Sequence, residues 1–252
     1  MIVDCDSHFS PFRKLPESID ANEWNDRMAE AGVEKAICWM MQQHLDEPDE
    51  SNKYIYESSK KFPRMIPFGW VMLPGRVQES IDETKRCLEE YGFYGIKING
   101  SQNKHNIDDD DSLKIIDLIA KAGKIIAFHV GAEAPVFTDP ARAARIAKLY
   151  PELRIIMVHM GGVIEPDMSE KVIAAAKESP NMMLVGSGIP LPRVANGIRK
   201  LGADRIMFGS DLPYHGSAKK HLEEYRKMLK EFDAKTADLV LGENAKGFLK
   251  LQ

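Results

Sequence analysis

Eight short apolar runs recur along this 252-residue chain, and segments with apolar positions at helical spacing lie between most of them. The runs are residues 1–6, 34–41, 65–71, 94–98, 124–129, 154–159, 182–186 and 205–211. They are spaced at intervals of roughly 25–35 residues, the size of a βα unit. The intervening helical patterns cover residues 22–31, 76–91, 111–122, 139–149, 168–178, 191–201 and 217–231. Gly32, Gly92, Gly123 and Gly202 stand where four of them should stop, as glycine after a helix C-terminus does. The strand runs are apolar on both faces, the mark of a buried parallel sheet rather than a sheet with one wet face. Eight β-then-α units in one chain predict a single-domain (β/α)8 TIM barrel over residues 1–252, with residues 234–250 as a C-terminal helical appendage. The rival is a doubly wound open sheet, which the count of eight disfavours. No Gly-, Ser- or Pro-rich linker divides the chain.

Composition narrows the function class without choosing one. An apolar fraction of 44% supplies a real core. The net charge of −4, with both signs interspersed, argues against nucleic acid, whose phosphates need a basic patch. No apolar run is long enough to cross a membrane, and the first residues lack the pattern of a signal peptide. Three cysteines, Cys5, Cys38 and Cys87, read most simply as reduced thiols of a cytoplasmic protein. A homo-oligomer stays open.

In a parallel barrel the chemistry sits at the C-terminal ends of the strands. The first run leads into Asp4-Cys5-Asp6-Ser7-His8, and alternation points Asp6 and His8 the same way. The fifth run ends at His129, the sixth at His159 and the eighth at Asp211. On strict alternation Ile125, Ala127 and His129 share a face, as do Ile155, Met157 and His159, and Met207, Gly209 and Asp211. One histidine after an apolar run is usually a satisfied core residue. Three histidines and two aspartates at the ends of parallel strands are not explained by packing, because buried charge is costly unless paired or metal-bound. Asn99, Gln102 and His105 follow the fourth strand, and Tyr214 and His215 follow Asp211, so each can line a pocket. Solvated loop is an equal reading for Gln102 and His105. The run Asp108–Asp111 lacks the spacing of a calcium loop and reads as the solvated start of a helix. His44 and His221 carry no pattern.

These residues carry a resemblance. Asp4-Cys5-Asp6-Ser7-His8, Gly95-Ile96-Lys97-Ile98, Phe128-His129-Val130-Gly131, Val158-His159-Met160-Gly161-Gly162, Gly209-Ser210-Asp211-Leu212-Pro213 and Glu243-Asn244-Ala245-Lys246 run in order over the whole chain. The set resembles the amidohydrolase superfamily, in its amidohydrolase-related branch of metal-dependent hydrolases and decarboxylases. That family usually opens with Asp-x-His-x-His. Here the first histidine falls on Asp6 and the second on His8. The resemblance implies one divalent metal ion, zinc or manganese, held by Asp6, His8, His129 and Asp211. It implies a catalytic or substrate-contacting His159, and gives Asp211 a second role as proton shuttle. An acid at position 6 brings the ion close to neutral, weakens its Lewis acidity, and moves preference toward oxygen-liking ions such as manganese. Lys97 stands where some superfamily members carry a carboxylated lysine; a snorkelling or substrate-contacting lysine is the reading preferred here. Asn99, Tyr214 and His215 are the other substrate candidates.

The leading expectation is therefore hydrolysis of a small ester, lactone or amide by metal-activated water, with Asp211 as base and His159 polarising the carbonyl. The alternative is a non-oxidative decarboxylase of a small carboxylic acid, in which Asp211 delivers a proton to the carbon losing carbon dioxide. A barrel that binds without catalysis is the third reading.

Overall fold

The computed structural model describes residues 1–12, 15–41, 48–71, 74–131, 134–162 and 167–252; His44 lies outside them. Eight strands pair in sequence order, each parallel to the next: β1 (Val3–Phe9), β2 (Lys35–Met40), β3 (Met65–Trp70), β4 (Gly95–Ile98), β5 (Ile125–His129), β6 (Arg154–Val158), β7 (Met182–Val185) and β8 (Ile206–Met207). The last strand is short, and the chain beyond it returns to the first. The Cys5 N–H donates to the Phe208 carbonyl (2.9 Å), the Asp211 N–H to that of Asp6 (2.8 Å) and the His8 N–H to that of Leu212 (2.6 Å). These bonds bring the eighth unit against β1, so the sheet rolls into the (β/α)8 barrel that the pattern predicts.

Helices alternate with the strands: α1 (Ala21–Ala31), α2 (Pro48–Lys61), α3 (Val77–Lys85), the short α4 (Gly100–Asn103), α5 (Asp110–Lys121), α6 (Pro140–Leu149), α7 (Ser169–Lys177), α8 (Leu191–Leu201) and α9 (Ala218–Leu229). None among the described residues is long and apolar enough to cross a membrane. Their ends follow the local chemistry. Asp20 caps α1 by accepting from the Asn22 and Glu23 N–H groups, and Gly32 ends it in the left-handed region (φ 73°).

One helix is added to those the periodicity marks, and one local reading is corrected. The helix α2 has no apolar stripe to betray it. Its buried face is Pro48, Ser51, Asn52, Ile55 and Ser58, so four of its five inward positions carry no large apolar side chain. The run of acids is only partly solvated: Asp109 caps α5, but Asp108 is buried and paired with Arg142 (2.6 Å) and Arg145 (3.1 Å) from α6. The C-terminal segment, α10 (Ala234–Asp238) and α11 (Asn244–Leu249) with a wider turn between them, is built into the barrel floor. Phe208 N–H donates to the Val240 carbonyl, and the Asn244 amide donates to the carbonyls of Ala203 and Ile206.

Barrel closure also rests on Asp4. Its buried Oδ1 accepts the N–H groups of Asp6 (3.1 Å) and Ser210 (3.0 Å), tying β1 to the chain leaving β8. Burial pushes its carboxyl up to about 7. Asp4→Ala leaves two buried donors unpaired, at about 1–3 kcal/mol each, so a loss of about 2–6 kcal/mol is expected. Asp4→Asn keeps an acceptor and should lose much less. Urea unfolding of the two variants checks the difference, and equal losses would show that the acceptor is not what matters.

Candidate metal centre

β1 runs further than its apolar residues alone imply, through Phe9, and its register against β2 shifts between Asp4 and Ser7. A bulge of this kind re-aims side chains. Asp6 and His8 both end up facing the barrel interior, near Asp211: His8 Nε2 is 3.5 Å from Asp6 Oδ1 and 3.4 Å from Asp211 Oδ1. The other ring nitrogen of His8 lies 2.8 Å from the Met40 carbonyl. With the proton on Nδ1 donated there, Nε2 keeps its lone pair toward the carboxylates, the arrangement typical of a ligating histidine.

The strand-end residue of the sixth unit arrives by a different route from simple alternation. β6 stops at Val158, which is the residue registered with His129 on β5. Partners across a ladder share a face, so alternation alone would turn the next residue, His159, outward. His159 instead takes φ 69° and turns back into the site. Its Nδ1 lies 3.0 Å from the Ser187 carbonyl and 3.8 Å from Asp6 Oδ2, and its ring meets that of His129 edge-on at 4.6 Å between centroids. Asp211 also lies in the left-handed region, with φ 55°. Such backbone costs on the order of 1–3 kcal/mol and persists where the surroundings over-determine it.

Asp6, His159 and Asp211 offer ligand atoms within 4.8 Å of one another, all buried. Two facing carboxylates in a buried space call for positive charge. Burial works against the Asp6 carboxylate, but the Lys97 ammonium, aided by His8 and His159, holds it below its ordinary range. Asp211 is held well below its range against burial, chiefly by its hydrogen bond with His215 and the His8 ring beside it. Burial, then the neighbouring His159, pushes His129 well down, and its Nε2 is buried with no hydrogen-bond partner. A pair of anionic oxygens beside imidazole nitrogens, one of them unpartnered, is a donor set that fits a divalent cation.

The second row was only partly foreseen. Trp39 on β2 donates its indole N–H to Asp6 Oδ1 (3.0 Å) and His8 Nε2 (2.9 Å). Ser187, after β7, donates its hydroxyl to Asp6 Oδ2 and lies 3.2 Å from His159 Nδ1. Neither residue carried a spacing signal. Tyr214 stands edge-on to the His8 ring at 5.1 Å, and the half-exposed His215 places Nε2 3.2 Å from Asp211 Oδ2. Lys97 does not snorkel: it is 1% exposed, with Nζ 3.7 Å from Asp6 Oδ1. Asn99 uses its amide oxygen to cap α4, accepting from the Ser101 and Gln102 N–H groups, so that oxygen serves the loop. Both ring nitrogens of His105 and both amide atoms of Gln102 are buried without partners, so neither is a solvated loop residue.

The family model for amidohydrolases matches residues 3–251. The chain belongs to the amidohydrolase family. Several solved structures share its fold across nearly the whole length. A dihydroxybenzoic acid decarboxylase from Polaromonas, solved with manganese and 2-nitroresorcinol, is 18% identical, with a TM-score of 0.78 over 99% of this chain and 97% of that one. A 5-carboxyvanillate decarboxylase from Sphingomonas paucimobilis is 15% identical, with a TM-score of 0.77 over 100% and 99%. An uncharacterized TIM-barrel protein from Bordetella bronchiseptica reaches 0.80 at 17% identity, over 99% and 98%. No curated protein sequence matches the chain. At these identities the likeness shows the fold and leaves the reaction to the site.

Proposed function

We propose that this amidohydrolase is a metal-dependent, non-oxidative decarboxylase of a small carboxylic acid. The observation that carries the reading is Asp6, buried opposite Asp211, where the family usually has a histidine. Asp6, His8, His129 and Asp211 would hold one manganese or zinc ion, with His159 beside them. Bound there, the ion would supply positive charge for an acid's carboxylate. The second carboxylate adds a hard oxygen donor, which suits manganese. The manganese-bound decarboxylase of the same fold supports this.

The chain's own groups then have defined roles. The bond between the carboxylate and its carbon breaks, carbon dioxide leaves, and the electron pair stays on that carbon. Asp211, ionised at rest, takes a proton from His215 and passes it to the carbon. His215 is half-exposed and in contact with Asp211, so it replaces that proton from solvent. His159, fixed by Ser187, hydrogen-bonds a substrate oxygen. Hydrolysis is the second reading, favoured by an Asp211 held ionised and ready to take a proton from water.

Carbon dioxide release and acid release, measured on the manganese- and zinc-loaded protein over a panel of small acids, esters, lactones and amides, decides between them. Carbon dioxide from an acid is the expected result. Acid release from an ester, lactone or amide without carbon dioxide would replace the proposal with hydrolysis.

A further inference from the structure

We infer that Lys97 is an internal counter-charge that makes the Asp6 site electrostatically equivalent to the family's usual histidine, so that the pair Asp6–Lys97 sets the affinity for the ion. The inference rests on the metal-binding reading above. In the usual pattern the first-strand ligand is a neutral imidazole and one aspartate brings a single negative charge. In this chain Asp6 adds a second. The ammonium of Lys97, 3.7 Å from Asp6 Oδ1, returns one positive charge at the same place.

The geometry leaves that charge little freedom. Lys97 is on β4, registered with Trp70 on β3, and is 1% exposed. Its Nζ lies 3.9 Å from the centroid of the Trp39 ring and 5.3 Å from that of Trp70, so two indole faces hold the cation. Both walls are themselves anchored. The indole N–H of Trp39 is bonded to Asp6 and His8. The backbone of Trp70 is clamped by Asn52, which accepts from its N–H (3.0 Å) and donates to its carbonyl (2.9 Å). A buried lysine is expensive unless paired, and its ion-pair partner among the described residues is Asp6. The ammonium therefore stands at Asp6 Oδ1, the oxygen that also lies 3.5 Å from His8 Nε2, and with no lone pair to offer it acts on the ion through Asp6 as a positioning and charge-setting group rather than as a ligand.

A double-mutant cycle read by manganese binding alone tests this, with calorimetry or spin-resonance titration of wild type, Lys97→Met, Asp6→His and the double variant. Circular dichroism confirms the fold of each. Lys97→Met leaves two uncompensated carboxylates and should tighten manganese by about tenfold or more, since one charge a few ångströms away in a partly buried site is worth at least that. Asp6→His leaves a cation beside an imidazole and should weaken binding by about tenfold or more. The double variant should return to within a few-fold of wild type. A lysine that merely fills space would leave binding unchanged when replaced by methionine in either background, with no rescue, and that result overturns the inference. A wild type that binds neither manganese nor zinc would instead remove the metal reading on which it stands.

Discussion

Replacing Asp211 by asparagine should lower turnover by about 100- to 10,000-fold, the range that a positioned acid or base supplies, while part of the metal is retained. The amide keeps an oxygen toward the site but can neither hold nor release the proton. Because the same group would move the proton in decarboxylation and in hydrolysis, the loss is expected for either. Asp211 also anchors His8 and His215, with contacts of 3.4 and 3.2 Å, so a small shift in the pH profile of the residual rate should accompany the loss. The measurement is a rate on metal-loaded protein together with metal content by mass spectrometry. Full activity in a correctly loaded Asp211→Asn protein would remove this residue from the chemistry.

The two histidines should separate in the opposite sense. His129→Asn takes away an imidazole whose Nε2 has no protein partner, and metal affinity should fall by more than about 100-fold, beyond what the loss of a supporting contact typically costs. Activity goes with it. His159→Asn should keep most of the metal and lose about 100- to 1,000-fold in turnover, the typical cost of one aimed hydrogen bond in a site. The reason lies in how His159 is held. Its Nδ1 faces the Ser187 carbonyl at 3.0 Å, and the left-handed turn at φ 69° presents the ring from the side, against His129. Because His159 also lies within 4.8 Å of Asp6 and Asp211 by its ligand atom, the experiment is decisive. An empty site in His159→Asn and a filled one in His129→Asn would exchange the two roles.

Much of this molecule is written locally. Apolar runs of strand length, glycines after helices and caps such as Asp20 each act within a few residues, and they were enough to specify eight βα units and hence a barrel. The barrel in turn sends the last residue of each strand to one end, so Asp6, His8, His129, His159 and Asp211 could be named from their positions alone. What escaped depends on which distant residues meet. Ser187 reaches Asp6 across 181 positions and Trp39 reaches it across 33, and no spacing encodes either contact. The face that α2 buries is Pro48, Ser51, Asn52, Ile55 and Ser58, with Asn52 clamping the backbone of Trp70, so it lacks the apolar stripe that marks a helix. Asp108 looked solvated until α6 brought Arg142 and Arg145 to it. His159 enters the site through a backbone turn that alternation along β6 does not foresee. Periodicity reports which residues are buried and which element they form. The partner of a buried polar group is chosen by register and closure, and these exist only once β1 and β8 have met.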